Sequence, residues 1–106
     1  MNDIAIRYFE YWNNQDLDGL RSLFAKDVSL KDWEIDVAGI DRVIEENAKI
    51  FKDLPGIKVE IVKIVFDQDS IFGQLVVHLN ENENISVVDV LSIENNKIKR
   101  IHAYKC

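Results

Sequence analysis

The sequence predicts an α+β fold, in which three N-terminal helices close one end of a cone-shaped, curved and mostly antiparallel β-sheet. Apolar residues recur at helical spacing in the first half of the chain and alternate with polar residues in the second half. The length of 106 residues, 47% of them hydrophobic, matches one domain over residues 1–106 with a single core. With only 4 Gly and 1 Pro to interrupt it, the chain is expected to form long elements.

The first half contains three predicted amphipathic helices. The first covers Ile4–Trp12, whose apolar side chains form one stripe. The second covers Leu17–Ala25 and follows Asp16, whose side chain can accept hydrogen bonds from the free backbone N–H groups of its first turn. The third covers Ile40–Leu54 and ends before Pro55, because proline cannot continue a helix.

The remaining segments are predicted strands. A short strand, Val28–Trp33, lies between the second and third helices and is followed by a loop. Four longer runs rich in Ile, Val and Phe are separated by Asp, Asn and Gln turn residues, which is typical of a hairpin meander. The apolar phase of the first run slips near Ile61, which indicates a β-bulge or a strong bend. The four runs are Ile57–Phe66, Ser70–Leu79, Asn84–Glu94 and Lys97–Lys105.

Two carboxylates interrupt apolar rows. Asp89 shares a strand face with Val87 and Leu91. Asp32 ends the row formed by Val28 and Leu30. A buried ionised carboxylate is costly unless it is paired, hydrogen-bonded or protonated. Each could be a pocket group or a structural one, with Asp89 capping a backbone N–H or facing water and Asp32 serving as a turn residue.

Three other polar side chains are candidates with an equally ordinary alternative. Tyr8 lies in the middle of the first helical stripe, where its hydroxyl needs a hydrogen-bond partner, although most such tyrosines are only core residues. Gln74 and His78 share one face of the second long strand. They are polar anchors if that face lines a cavity and ordinary wet residues if it faces solvent, and the sequence does not decide.

The composition excludes several function classes. The formal charge of -6 and the pI near 4.8 argue against binding to nucleic acid or to an anionic membrane surface. No apolar run approaches the roughly 20 residues of a membrane span, and no basic segment precedes an apolar one at the start, so the cytoplasm is the expected location. The lone Cys106 cannot form an internal disulfide or a Cys-based metal site. We therefore expect acid–base or binding chemistry by carboxylates and a phenol, without a metal or a cofactor.

A series of short motifs resembles the opening of a known superfamily. Arg7-Tyr8 is followed by Asn13–Leu20 and then by Leu23–Asp32, which reads LFAKDVSLKD. This series is similar to that of the nuclear-transport-factor-2-like superfamily, and specifically to its SnoaL-like and ketosteroid isomerase-like branch. The later strand segment Val87–Val90 also fits, so the resemblance spans nearly the whole chain.

The resemblance to ketosteroid isomerase implies a role for each residue that breaks the apolar pattern. Asp32 falls at the position of the enzyme's general base. Tyr8 and Asp89 fall at the positions of the two hydrogen-bond donors of its oxyanion hole, where a carboxylic acid is kept protonated. The same residues are thus selected by the apolar pattern and by the family motif.

The resemblance also implies a substrate pocket that departs from the enzyme's pattern. Trp33 stands where the enzyme has a proline, and Asn47 falls near its second pocket tyrosine. Gln74 and His78 fall at apolar positions of its wall, and such a polar wall argues against a steroid. The expected substrate-binding residues are Trp12, Trp33, Asn47, Gln74 and His78.

Three functions stay open on the sequence alone. The first is an internal pocket for a small lipophilic molecule, with proton transfer next to a carbonyl. The second is a non-catalytic module that binds a small ligand or only dimerises, and the third is another SnoaL-like reaction, such as cyclisation, dehydration or epoxide hydrolysis. The expected partners are a small-molecule ligand and a second copy of the chain, bound through the outer sheet face at an apolar patch of Val88, Val90 and Ile98.

Overall fold

The computed structural model describes residues 2–106, which form three helices and six strands. Every element of the sequence-based prediction is present, and one short strand is added between the first strand and the third helix. In chain order the elements are α1 (Asn2–Asn13), α2 (Leu17–Leu23), β1 (Phe24–Lys31), β2 (Asp36–Ala38), α3 (Ile40–Asp53), β3 (Lys58–Asp67), β4 (Ser70–His78), β5 (Asn84–Glu94) and β6 (Lys97–Lys105).

The six strands form one curled, unclosed sheet in the order β2-β1-β6-β5-β4-β3. The last four strands are a hairpin meander, and every pairing is antiparallel except that of β1 with β6, which is parallel. The α+β class and the mostly antiparallel sheet predicted from the sequence are therefore confirmed.

The helices cover the inner face of the sheet with their apolar stripes. Ala5 and Phe9 of α1 are buried in the same core cluster as Leu20 of α2. Asp16 caps α2 as predicted, since its Oδ1 accepts a hydrogen bond from the backbone N–H of Gly19 at 2.9 Å. A side chain at Gly19 would place its Cβ 2.5 Å from the Tyr11 ring, so the close approach of α1 and α2 requires glycine there. None of the helices within residues 2–106 has the length and apolar character needed to cross a membrane.

The boundaries around β1 differ from the prediction because they depend on pairing with other strands. Helix α2 ends at Leu23 rather than Ala25, since the backbone of Phe24 already pairs with Ile98 of β6. Strand β1 ends at Lys31 rather than Trp33, and the predicted loop beyond it contains β2, which pairs antiparallel with β1. Neither pairing can be recognised from the hydrophobic pattern of the segment itself.

Two irregularities decide which side chains face inward. The bulge predicted near Ile61 is confirmed, because the pairing of β3 with β4 shifts register between Ile61 and Lys63. A second shift lies between Ser92 and Ile93 in the pairing of β5 with β6. Ile98, expected on the outer face, is fully buried in the core, since it pairs opposite the inward-facing Ile93 beyond this shift.

Candidate functional site

A cavity of about 380 Å³ lies between the helices and the inner face of the sheet. This volume is at the small end of the range for ligand pockets, and the wall is mostly aliphatic and aromatic. Its polar lining side chains come from five elements or turns of the chain. They are Tyr8 and Trp12 from α1, Asp32, Trp33 and Glu34 from the turn after β1, Asn47 from α3, Asp89 from β5 and Lys105 from β6.

Asp89 lies in the middle of the inner face of β5. Its side-chain row is otherwise apolar, as the sequence indicated, and the residue is only 9% exposed. Its partners on the two neighbouring strands are Gly73 and Ala103, the smallest residues available. The Asp89 carboxyl forms no hydrogen bond within residues 2–106. Every fully buried side-chain N or O atom of the described chain does have a hydrogen-bond partner, so the Asp89 oxygens are not fully buried and are accessible from the cavity.

The surroundings of Asp89 favour its protonated form. Burial raises the pKa of Asp89 from its ordinary value of 3.8 to about 7, and the negative charge of Asp32 contributes to the same shift. A carboxyl group with this pKa is about half protonated at neutral pH. It can then donate a hydrogen bond to a ligand in the cavity, which an ionised carboxylate cannot do.

Tyr8 faces the same cavity from the opposite wall, on α1. Its ring packs edge-on against Phe9 at 5.1 Å between centroids, and it is buried. Burial, followed by the charge of Asp89, raises the pKa of the Tyr8 hydroxyl well above its usual value of 10.0. The phenol therefore stays protonated and is a second hydrogen-bond donor to the cavity.

Asp32 combines a structural role with a place in the cavity wall. Its Oδ1 accepts hydrogen bonds from the backbone N–H groups of Glu34 and Ile35 at 2.7 and 2.6 Å, which closes a tight turn after β1. The turn interpretation left open by the sequence thus applies. The half-buried side chain also lines the cavity, and Oδ2 is free of these two bonds.

Ala103 pairs with Asp89 on the floor of the cavity. The parallel pairing of β1 with β6 continues to Lys31 and His102, the residues before Asp32 and Ala103. The charge of Asp32 contributes to the raised pKa of Asp89, so the two carboxyl groups lie near each other in the cavity. A small molecule above Ala103 can therefore contact both carboxyl groups at once.

Trp12 and Asn47 form a buried polar pair in the cavity wall. The indole Nε1–H of Trp12 donates to Oδ1 of Asn47 at 3.0 Å, and Nδ2 of Asn47 donates to the backbone carbonyl of Val43 at 2.9 Å. Trp12 also packs edge-on against Phe51. The pair fixes two of the residues expected to bind substrate, and the second N–H of the Asn47 amide is not used by these bonds.

The rim of the cavity contains Lys105, which the sequence reasoning missed, beside the predicted Trp33. Trp33 is 44% exposed, and the ammonium of Lys105 lies 5.8 Å from its ring centroid. Lys105 continues the inward-facing row of Ile101 and Ala103. The period-two alternation of β6 was a sufficient signal for this placement.

Gln74 and His78 lie on the outer face of the sheet, away from the cavity. Gln74 is exposed, and Nε2 of His78 is 2.9 Å from a carboxylate oxygen of Glu60. The residues between them on β4, Leu75 and Val77, line the cavity instead. The expectation that Gln74 and His78 contact substrate is wrong, because strand alternation directs them to the opposite face and leaves an apolar inner wall.

The family of the chain follows from a direct match. Residues 5–101 match the family of the SnoaL-like domain. The chain belongs to this family. No curated protein matches the sequence.

Within residues 2–106 no group of three or more His, Cys, Asp or Glu side chains is arranged to hold a metal ion.

Solved structures share the SnoaL-like fold of this chain at low sequence identity. A SnoaL-like protein of unknown function from Burkholderia thailandensis is 14% identical, with a TM-score of 0.89 over 99% of this chain and 92% of that one. A hypothetical protein with a ketosteroid isomerase-like fold from Catenulispora acidiphila, in complex with trimethylamine, is 18% identical, with a TM-score of 0.85 over 95% and 83%. An LEH-like epoxide hydrolase from M. tuberculosis is 14% identical, with a TM-score of 0.81 over 98% and 80%. These similarities establish the nuclear-transport-factor-2-like fold.

Proposed function

We propose that the chain binds a small lipophilic ketone in its cavity and catalyses proton transfer next to the carbonyl group. The observation that carries this proposal is the pair formed by Tyr8 and Asp89. Both side chains face one cavity, neither uses its polar group in a hydrogen bond within residues 2–106, and Asp89 has a pKa of about 7. Two protonated oxygens that face one cavity are suited to bind a developing enolate oxygen.

Asp32 is the base in this mechanism. Its carboxylate removes a proton from the carbon next to the carbonyl, and the electron pair of that C–H bond moves to form the enolate. The hydroxyl of Tyr8 and the protonated carboxyl of Asp89 donate hydrogen bonds to the enolate oxygen. Asp32 then returns the proton to the γ-carbon, so the double bond shifts into conjugation and the enzyme is regenerated.

The rest of the cavity supports a lipophilic substrate of modest size. Aliphatic side chains such as Ile50, Leu75 and Val87 form most of the wall. The volume of about 380 Å³ and the absence of a polar wall on β4 agree with a compact apolar ring system. The proposed reaction uses only side chains of the chain itself, because proton transfer needs neither a metal nor a redox cofactor.

The test is the isomerisation of a β,γ-unsaturated cyclohexenone, followed by ultraviolet absorbance of the conjugated product. Asp32→Asn is the decisive variant, because its amide oxygen can still accept the two turn hydrogen bonds while its basicity is lost. We expect kcat to fall by about 100- to 10,000-fold. Asp36→Asn, an exposed carboxylate in β2, is the matched control and is expected to retain wild-type activity. Equal rates for wild type and Asp32→Asn contradict the proposal.

A binding module is the second candidate, favoured by the turn at Asp32. The two backbone hydrogen bonds of its Oδ1 explain an aspartate at this position without any chemistry. In that case the cavity binds the same class of ketone without converting it. Ligand binding by calorimetry together with an absence of turnover distinguishes this candidate from the enzyme.

We also propose that two copies associate through the outer face of the sheet. Phe72 of β4 pairs across the strands with Val90 of β5, and the stacked rings of His102 and Tyr104 continue this apolar surface on β6. Such contiguous patches are commonly buried between subunits. We expect a dimeric mass in light scattering and a monomeric mass for Val90→Lys, while Val62→Lys at the exposed bulge leaves the dimer intact. A monomeric wild type overturns this proposal.

A further inference from the structure

We infer that the ligand of the cavity carries an anionic group, a carboxylate or a group of similar charge, which Lys105 binds at the rim. The inference rests on the proposed use of the cavity for a small ketone and adds the charge and orientation of that ketone. It follows from the position of Lys105, the distribution of charge along the cavity and the aromatic ring beside the ammonium.

The backbone fixes Lys105 as a wall residue. Its strand partner is Val87, a buried residue of the same cavity wall, and the next backbone N–H, that of Cys106, still donates to the carbonyl of Ser86 at 2.9 Å. The sheet therefore remains paired beyond Lys105. Because side chains alternate along a strand, Lys105 faces inward with Ala103, at a position where an apolar residue would extend the wall.

The ammonium of Lys105 is available to a ligand. In the described part of the chain, no carboxylate lies within ion-pair distance of it. Its one aromatic neighbour is Trp33, with 5.8 Å between the nitrogen and the ring centroid. A cation–π contact at an exposed site is weak, so it positions the ammonium over the rim without neutralising it.

Among the described residues that line the cavity, Lys105 is the one lysine or arginine. Asp89 lies on the floor opposite Ala103, and Asp32 lines the same cavity. Lys105, two residues beyond Ala103 on β6, is exposed at the rim, as is the carboxylate of Glu34 in the turn after β1. An anion next to the two acid groups would be repelled, and the same anion next to Lys105 would be attracted. A ketone with a carboxylate at its far end is thereby oriented with its carbonyl toward the floor, and the ring of Trp33 covers its apolar body.

The experiment compares two probes that differ only in charge. Benzoylpropionate and its primary amide are titrated into the wild-type chain by calorimetry. We expect the carboxylate to bind about five-fold more tightly than the amide, with a preference that declines as salt is added. Lys105→Met, which keeps the length of the side chain, is expected to abolish the preference. Lys63→Met on the outer face of β3 is the matched control and is expected to keep it.

The outcomes separate this inference from the proposed reaction. Equal affinity of the wild type for both probes, or a preference that survives in Lys105→Met, overturns the inference even where the cyclohexenone is isomerised. A preference lost in Lys63→Met as well overturns it too, since the net field of the protein then explains the effect. A carboxylate preference that depends on Lys105 supports the inference even where no isomerisation occurs. Failure of both probes to bind overturns it.

Discussion

The two carboxylates of the cavity lie in opposite surroundings. Asp32 ends a strand at a turn, is half-buried, and has two backbone N–H groups bound to its Oδ1. Asp89 lies in the middle of β5, is 9% exposed, and has no hydrogen-bond partner within residues 2–106. Hydrogen bonds from N–H groups stabilise an ionised carboxylate, whereas burial without them destabilises it.

The proposed mechanism depends on this difference, because it uses one aspartate as the base and the other as the acid. Asp32 accepts two backbone hydrogen bonds, and its charge adds to the effect of burial on the pKa of Asp89. The comparison can be tested by changing one carboxyl group at a time.

The largest expected effect is on stability as a function of pH. The folded state holds the Asp89 proton up to a pKa of about 7, whereas the unfolded chain loses it near 3.8. Between these values the folded state binds more protons, so the free energy of unfolding decreases as pH rises. Relative to Asp89→Asn, the wild type is expected to lose about 4 kcal/mol between about pH 4 and about pH 8, measured by urea denaturation.

The control for this pH effect is Asp36→Asn, which removes an exposed carboxylate close to Asp32 in sequence. It is expected to follow the wild-type pH dependence. Parallel curves for wild type and Asp89→Asn would show that Asp89 titrates at the same pH in both states, and the contrast between the two carboxylates would then be lost.

The second expected effect is on the reaction. Asp89→Leu removes one of the two donors to the enolate oxygen, and we expect kcat to fall by about 100-fold. Asp89→Asn keeps an N–H donor, so its loss is expected to be about ten-fold or less. The wild-type rate should decline as pH rises through about 7, since the donor proton is lost there, and the Asn variant should lack this decline. An unchanged pH profile in Asp89→Asn would contradict the assignment.

The smallest expected effect concerns the turn at Asp32. Asp32→Ala leaves the backbone N–H groups of Glu34 and Ile35 without their acceptor, and we expect a loss of about 1–2 kcal/mol in the free energy of unfolding. Asp32→Asn should lose less than half of this amount, because its amide oxygen can accept the same bonds. Equal losses for the two variants in urea denaturation would show that the turn hydrogen bonds contribute little.

The elements could be predicted where the local pattern is strong. Helix α3 and the four strands of the meander differ from the prediction by at most one residue at each end. The boundaries failed at Phe24 and in the loop containing β2, because these segments become strands by pairing with β6 and β1. The partner of Phe24 is Ile98, far along the chain, and β2 has only three residues, so neither segment carries a periodic signal of its own.

The site could be predicted in part. Asp89 and Tyr8 were found because each is polar within an apolar row, and both line the cavity. Gln74 and His78 were expected at the ligand by alignment with a family pattern, and strand alternation places them on the outer face. Lys105 was missed although the same alternation directs it inward, because a lysine near the end of a strand is usually solvated.

The amino-acid sequence by itself determined the periods of the elements, the bulge near Ile61 and the presence of Asp32 and Asp89 on apolar rows. Only the tertiary structure decided that the two carboxylates share one cavity. The physical reason is that side-chain alternation is a property of a single strand, whereas the cavity depends on the parallel pairing of β1 with β6 and on helices that bury one face. That burial raises the pKa of Asp89 to about 7 and distinguishes this residue from the solvated acidic residues that give the chain its negative charge.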